Sequence, residues 1–77
     1  MKLVEAISKR VQNLLDEKGV KQYYLFKNGG IPRSTISNVV NCRKKKVSMD
    51  TVYQICTTLG ISLEQFFSDP VFAEIDD

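Results

Sequence analysis

The sequence predicts an all-α fold, a compact bundle of five short helices. Apolar residues recur at three- and four-residue steps along residues 4–15 and again along residues 52–59, which is the spacing of amphipathic helices. Glycine or proline interrupts the chain between helical segments, so we expect tight connections. Of the 77 residues, 43% are hydrophobic and 26% charged. These values are typical of one globular domain with a single core.

Helix one is predicted from a stripe of apolar residues that would face the core. It ends at Lys18-Gly19, because a cation is favourable in the last turn of a helix and glycine readily adopts the left-handed conformation that follows. The stripe consists of Val4, Ile7, Val11, Leu14 and Leu15.

Helices two and three are predicted to be short. Helix two covers about residues 22–28, and Gly29-Gly30 breaks it. Helix three covers about residues 32–40, since Pro32 presets the backbone of its first turn. Its inward face is formed by Ile36 and by Val39 or Val40.

Helix four is predicted to start at Ser48, which can cap it, with Asp50 in the favourable first turn, and to stop at Gly60. This helix follows a basic loop over residues 41–47. The residues of its buried stripe are Val52, Ile55, Cys56 and Leu59.

Helix five is predicted from a capping box, in which Ser62 and Gln65 satisfy each other's backbone N–H groups. Ser68-Asp69-Pro70 ends it. The domain organisation is therefore one helical domain over residues 1–68, followed by an acidic and apolar tail over residues 69–77.

Charge is strongly segregated along the chain. Residues 19–46 contain seven basic residues and no acidic one, whereas residues 47–77 contain six acidic residues and no basic one. A solvated surface is the ordinary explanation of a charge run, but a purely cationic helix pair also suits a polyanion. The basic residues are Lys21, Lys27, Arg33, Arg43, Lys44, Lys45 and Lys46.

The composition argues against several classes of protein. No apolar run approaches the roughly 20 residues of a membrane span and no signal-peptide segment is visible, so we expect a cytoplasmic protein without a membrane partner. The chain has no histidine and two cysteines, Cys42 and Cys56. We therefore expect free thiols, no metal, no cofactor and no enzymatic activity. We also expect no small-molecule effector, because 77 residues leave no room for a separate effector-binding domain.

Several residues occur in an informative order. They are Gln22, Leu25, Gly30, Ile31, Ile36, Val39 and Asn41, followed by the apolar stripe of helix four. Over roughly residues 4–67 the chain resembles the phage-repressor and Cro-type (XRE-type) helix-turn-helix family of bacterial regulators. The resemblance implies a lambda-repressor-like five-helix fold that binds double-stranded DNA.

Two departures from the family pattern concern the packing of helices two and three. Phe26 stands where the family usually has alanine, and Gly29 stands where a larger apolar residue is usual. We expect the ring of Phe26 to fill the space that Gly29 leaves.

Two further departures concern the ends of helices one and three. Many members pair an arginine late in helix one with a glutamate at the end of helix three, where this chain has Leu15 and Val40. Packed apolar residues can replace such a pair. Cys42 replaces a frequent glycine, so Asn41 is the better candidate for a left-handed backbone.

The resemblance implies that helix three enters the major groove and contacts bases through Arg33, Ser34, Ser37 and Asn38. Arg33 can donate two hydrogen bonds to guanine, and Asn38 can pair with adenine. The two serines could equally be plain helix surface. Thr35 is expected near the DNA backbone or a thymine methyl.

Phosphate contacts are expected on both sides of helix three. The first turn of helix two exposes unpaired N–H groups at the positive end of its dipole. The basic loop supplies cations on the other side. The expected contact residues are Lys21, Gln22, Tyr23, Thr35, Asn41, Arg43, Lys44 and Lys45, although Tyr23 could also be a packing residue.

A homodimer is expected, because one recognition helix covers too few base pairs for tight binding and proteins of this fold use two half-sites. Its predicted surface, in helix five and the tail, is formed by Phe66, Phe67, Val71, Phe72 and Ile75. The alternative is that the tail folds back onto its own core.

The functional hypothesis is a sequence-specific DNA-binding transcriptional regulator, with repression as its simplest action. The main alternative is a protein-interaction module of the same fold, such as an antitoxin or a transcription adaptor. RNA binding is a weaker alternative, because a helix does not fit the narrow major groove of A-form RNA.

Overall fold

The structure, a computed structural model, describes residues 1–76 and confirms the all-α fold. Helix α1 packs against α3, α2 packs against α3 and α4, and α4 packs against α5. No helix in this described part is long and apolar enough to cross a membrane. The elements are α1 (Leu3–Lys18), α2 (Gln22–Gly29), α3 (Arg33–Val40), α4 (Met49–Leu59), α5 (Leu63–Phe67) and a 3₁₀ helix, η1 (Pro70–Glu74).

The apolar stripes of the five helices meet in one core. Cys56 lies inside it, where burial raises the pKa of the thiol against the opposing effect of the Arg10 charge. Both cysteines are free, as expected. The largest fully buried side chains of the core are Phe66, Leu25, Ile31, Ile55, Val11, Val52 and Cys56.

The predicted caps of helices four and five are confirmed. The backbone N–H of Thr51 donates to the hydroxyl of Ser48 at 3.1 Å. At α5, Ser62 and Gln65 form the reciprocal capping box, with backbone-to-side-chain distances of 2.8 and 3.0 Å. Each bond satisfies a backbone donor that the first turn of a helix otherwise leaves free.

The prediction for the end of helix three was wrong. Cys42, and not Asn41, has the left-handed conformation, with φ of 53°. The N–H of Arg43 donates to the carbonyl of Asn38 at 2.9 Å and that of Cys42 to the carbonyl of Val39 at 3.3 Å. This pair of bonds is a Schellman motif, in which the left-handed residue is the second one after the last helical residue. Because the helix runs to Val40, that residue is Cys42.

The expectation that Phe26 fills the space beside Gly29 was also wrong. Thr58 of α4 occupies that space, since a Cβ built on Gly29 would lie only 2.1 Å from the Thr58 hydroxyl oxygen. Glycine at this position therefore permits the close approach of α2 and α4. Phe26 lies instead on the surface, with 38% of its area exposed.

The tail folds back onto α1 through a contact that the sequence did not indicate. Arg10 of α1 donates from Nε to the carbonyl of Phe66 at 2.8 Å and from Nη2 to the carbonyl of Gln65 at 2.9 Å. Its Nη1 pairs with the Asp69 carboxylate at 3.1 Å. One guanidinium thus binds both the end of α5 and the residue just before η1. It can do so because arginine presents several N–H donors in a rigid fork, which no other side chain offers.

The docked tail changes the predicted dimer surface. Phe66 is fully buried and Val71 is 5% exposed, so both belong to the core of the single chain. The rings of Phe66, Phe67 and Phe72 pack against one another. Only Phe67, Phe72 and Ile75 of the predicted set keep part of their surface accessible.

Candidate nucleic-acid interface

Helix α3 has one buried and one accessible side. Ile36, Val39 and Val40 are directed into the core. The predicted base-contacting residues lie on the other side, where Arg33 and Ser34 are exposed and Ser37 and Asn38 are half-buried. Their spacing of one, four and five residues places them on one side of a helix. The structure therefore brings all four together on a surface that a ligand can reach.

The C-terminal end of α3 is fixed to α1 by two hydrogen bonds. The carbonyl of Val40 accepts from the hydroxyl of Ser8 at 2.8 Å and from the side-chain amide of Gln12 at 2.6 Å. Ser8 is buried, so this polar group requires such a partner. These bonds fix where α3 lies relative to the rest of the domain. Neither residue had been singled out from the sequence, because no local pattern links them to Val40.

The start of α2 lies beside α3. Lys21 is the N-cap residue of α2, and it makes no side-chain capping bond. Gln22 and Tyr23 are exposed. Together with Phe26 and two α3 residues, Arg33 and Ser37, they line one open depression between the two helices. Four of the predicted contact residues of α2 and α3 thus lie around one depression.

Arg33 has two aromatic neighbours from α2. Its guanidinium carbon lies 4.7 Å from the ring centre of Phe26 and 5.3 Å from that of Tyr23. The two rings are themselves 5.9 Å apart. Phe26 was not among the predicted site residues, although the three-residue spacing from Tyr23 places both rings on one side of α2.

The basic loop extends this surface beyond the other end of α3. Asn41 is exposed and its side-chain amide donates to the hydroxyl of Ser37 at 3.1 Å. The loop cations Arg43, Lys44 and Lys45 are exposed and lie around one depression with Lys2. Glu5 lines the same depression, so the net positive charge at this end of the surface comes from the loop cations, with Lys2 and Glu5 offsetting each other.

Comparison with known proteins identifies the architecture. A sequence profile of the Cro/C1-type HTH DNA-binding domain matches residues 10–70. The chain belongs to the Cro/C1-type helix-turn-helix family. In this family the profile describes a DNA-binding domain, so α2 and α3 are its helix-turn-helix pair. No curated protein matches the chain.

The fold of this Cro/C1-type domain is also similar to a solved structure, the crystal structure of prophage Lp1 protein 11. The two chains are 28% identical and superpose with a TM-score of 0.82. The similarity covers 97% of this chain and 100% of that one. It therefore includes most of the tail as well as the residues that match the family profile.

Proposed function

We propose that this protein is a sequence-specific regulator of transcription that inserts α3 into the major groove of double-stranded DNA. The observation that carries the proposal is the accessible side of α3, where Arg33, Ser34, Ser37 and Asn38 lie together within a DNA-binding family domain. Binding to a promoter would exclude the transcription machinery, so repression is the simplest outcome. Such a regulator would act in the cytoplasm.

Base recognition is assigned to two residues above all. Arg33 can donate two parallel hydrogen bonds to the O6 and N7 atoms of guanine, and Asn38 can make the corresponding pair with adenine. Ser34 and Ser37 add shorter polar groups that can contact either kind of base edge. In this arrangement Thr35, which is half-buried, lies closer to the DNA backbone.

Phosphate binding is assigned to the two flanks of α3. On one flank, Lys21, Gln22 and Tyr23 surround the first turn of α2, whose free N–H groups and dipole attract an anion. The other flank is the exposed loop, with Asn41, Arg43, Lys44 and Lys45. Contacts on both sides of a groove fix the orientation of the inserted helix but do not distinguish sequences.

A salt titration tests the charge on which this proposal depends. Each phosphate contact adds about 0.9 to the slope of log affinity against log salt concentration. If Lys21, Arg43, Lys44 and Lys45 each neutralise a phosphate, we expect a slope of roughly 3 to 4 per half-site. Fluorescence anisotropy with labelled duplex DNA, selected beforehand from random sequence, measures it.

Lys44→Ala should weaken binding to selected and to unrelated duplexes by similar factors and lower the slope by about 1. Lys27→Ala is the matched control, since Lys27 is an exposed lysine of the same basic segment outside the assigned contacts. It should leave the slope nearly unchanged. A salt-independent affinity, or selection that returns no preferred sequence, would refute the proposal. Stronger binding to duplex RNA would favour the RNA alternative.

We further propose that the protein binds its operator as a homodimer through the accessible edge formed by Phe67, Phe72 and Ile75. This edge belongs to the part of the sequence without basic residues, so two copies can meet there without repulsion between their basic segments.

Two measurements test the dimer. Multi-angle light scattering of the protein–operator complex should give two chains per duplex. Ile75→Lys should lower the affinity for a duplex with two half-sites more than the affinity for a duplex with one. Tyr53→Lys, on the exposed side of α4, is the control. One chain per full operator would contradict the dimer.

A further inference from the structure

We propose that Tyr23 and Phe26 set the sequence specificity of the protein indirectly, by holding Arg33 in the orientation that contacts one guanine. The two rings, called the aromatic shelf below, are positioning groups and not themselves the base-contacting ones. The inference rests on the proposed function and adds the residues that control its principal base contact.

The geometry of the shelf is specific. The Arg33 guanidinium lies within 6 Å of both ring centres, the range in which a cation is attracted to an aromatic face. Both rings are accessible, with 52% of Tyr23 and 38% of Phe26 exposed. The shelf lies at the junction of α2 and α3, in the same depression as Gln22 and Ser37. It therefore adjoins other residues assigned to the DNA contact.

Stacking and base pairing use different parts of the guanidinium. A ring attracts the flat face of the group, whereas hydrogen bonds to guanine leave from its N–H edge in the same plane. An acidic neighbour would occupy the N–H donors, and none of the described residues forms an ion pair with Arg33. The shelf can consequently hold Arg33 while its donors stay free.

Holding Arg33 in place has a consequence for specificity. A free arginine side chain samples many rotamers, and binding must restrict them at a cost in affinity. A guanidinium that is already fixed in one plane loses less conformational freedom when two of its N–H groups donate to the O6 and N7 atoms of guanine. A base that accepts only one hydrogen bond gains less from this arrangement. The shelf should therefore increase discrimination at that base pair as well as affinity.

The first experiment uses the protein without DNA. Ring currents of a stacked aromatic side chain shift the Arg33 Hδ and Hε resonances upfield in the NMR spectrum. Phe26→Leu keeps an apolar side chain but has no ring, so it should return these resonances toward ordinary arginine positions. Tyr24→Leu is the matched control, because Tyr24 is on the same helix, is also 38% exposed and is not part of the shelf. Unshifted Arg33 resonances in the parent protein would overturn the proposal.

The second experiment is a double-mutant cycle on DNA. Affinities are measured for the selected duplex and for a second duplex in which another base replaces the guanine that Arg33 is proposed to contact. We expect Arg33→Ala to lower the ratio of these affinities by roughly 5- to 150-fold and Phe26→Ala to lower it by about 3- to 10-fold. In the Arg33→Ala background, Phe26→Ala should leave the ratio unchanged. Phe26→Tyr should restore the parent ratio, and Tyr24→Ala should not change it.

The outcomes separate this inference from the proposed function. If Arg33→Ala relaxes the preference for one guanine but Phe26→Ala does not, the shelf has no positioning role and the proposed function stands. If the effects of the two variants are additive, Phe26 contacts DNA directly, for example through a thymine methyl, and the inference is wrong. If Arg33→Ala leaves every base preference intact, the assignment of Arg33 itself fails.

Discussion

Leu15→Arg is expected to lower the free energy of unfolding by about 3 kcal/mol, because it replaces a buried apolar side chain of the core by a charged one. Leu15 is 6% exposed and Val40 7%, and both line one depression between α1 and α3. Urea denaturation followed by circular dichroism measures the loss, in a stabilising osmolyte if the variant is marginally folded.

Adding Val40→Glu should recover part of this loss, because it supplies the acidic partner that many relatives have at this position. The coupling free energy from the double-mutant cycle is expected to be 1 kcal/mol or more in favour of the pair, of the order seen for side chains in contact (about 0.5–3 kcal/mol). Val39→Glu is the control, since Val39 is a neighbouring buried residue of α3. It should show no recovery. Strict additivity of Leu15→Arg and Val40→Glu would show that the two side chains are not neighbours.

Arg10→Met is expected to destabilise the protein by about 3 kcal/mol. The substitution keeps an unbranched apolar stem but removes the donors from two backbone carbonyls and leaves Asp69 without its cation. The Arg10 side chain is only 11% exposed, so water replaces these bonds poorly. Chemical denaturation gives the loss of stability, and hydrogen exchange of the Phe72 amide, which donates to the carbonyl of Asp69, reports whether the first turn of η1 stays formed.

Two variants separate the parts of this contact. Asp69→Asn removes the charge but keeps an oxygen that can accept the N–H of Val71, as the Asp69 carboxylate does at 2.9 Å. It should cost less, about 1 kcal/mol, because the pair is partly solvated. Arg10→Lys should be intermediate, since an ammonium cannot reach all three acceptors in one fork. If Arg10→Met matches the parent within experimental error, the tail is held by its apolar contacts alone.

The order and limits of the five α-helices could be predicted from the sequence, because they depend on nearby residues, whereas η1 was not predicted. The apolar stripe of α1 and the caps at Ser48 and Ser62 act within one or two turns of the chain. The accessible side of α3 follows from the same helical period, since the positions of Ile36 and Val39 define the opposite side. The family and its candidate contact residues could be assigned for this reason.

Apart from the left-handed residue at the end of α3, which is a local feature, the errors concern contacts between residues distant in sequence. The space beside Gly29 is filled by Thr58 from another helix, and the ion pair between Arg10 and Asp69 joins residues that are 59 positions apart in the sequence. Phe66 and Val71 are buried in their own core because of the Arg10 contacts and the packing of η1 on α1. A hydrophobic pattern shows that these side chains need a partner but does not show which surface supplies it.

The sequence by itself determined the helices, the segregation of charge and the DNA-binding family, because periodicity, capping and charge are local properties of the chain. Only the tertiary structure decided that Arg33 lies on the rings of Tyr23 and Phe26, and that the tail is docked by Arg10. The physical reason is that such contacts depend on how helices are placed relative to one another. That placement is set by the packing of the whole core and by bonds such as those from Ser8 and Gln12 to Val40.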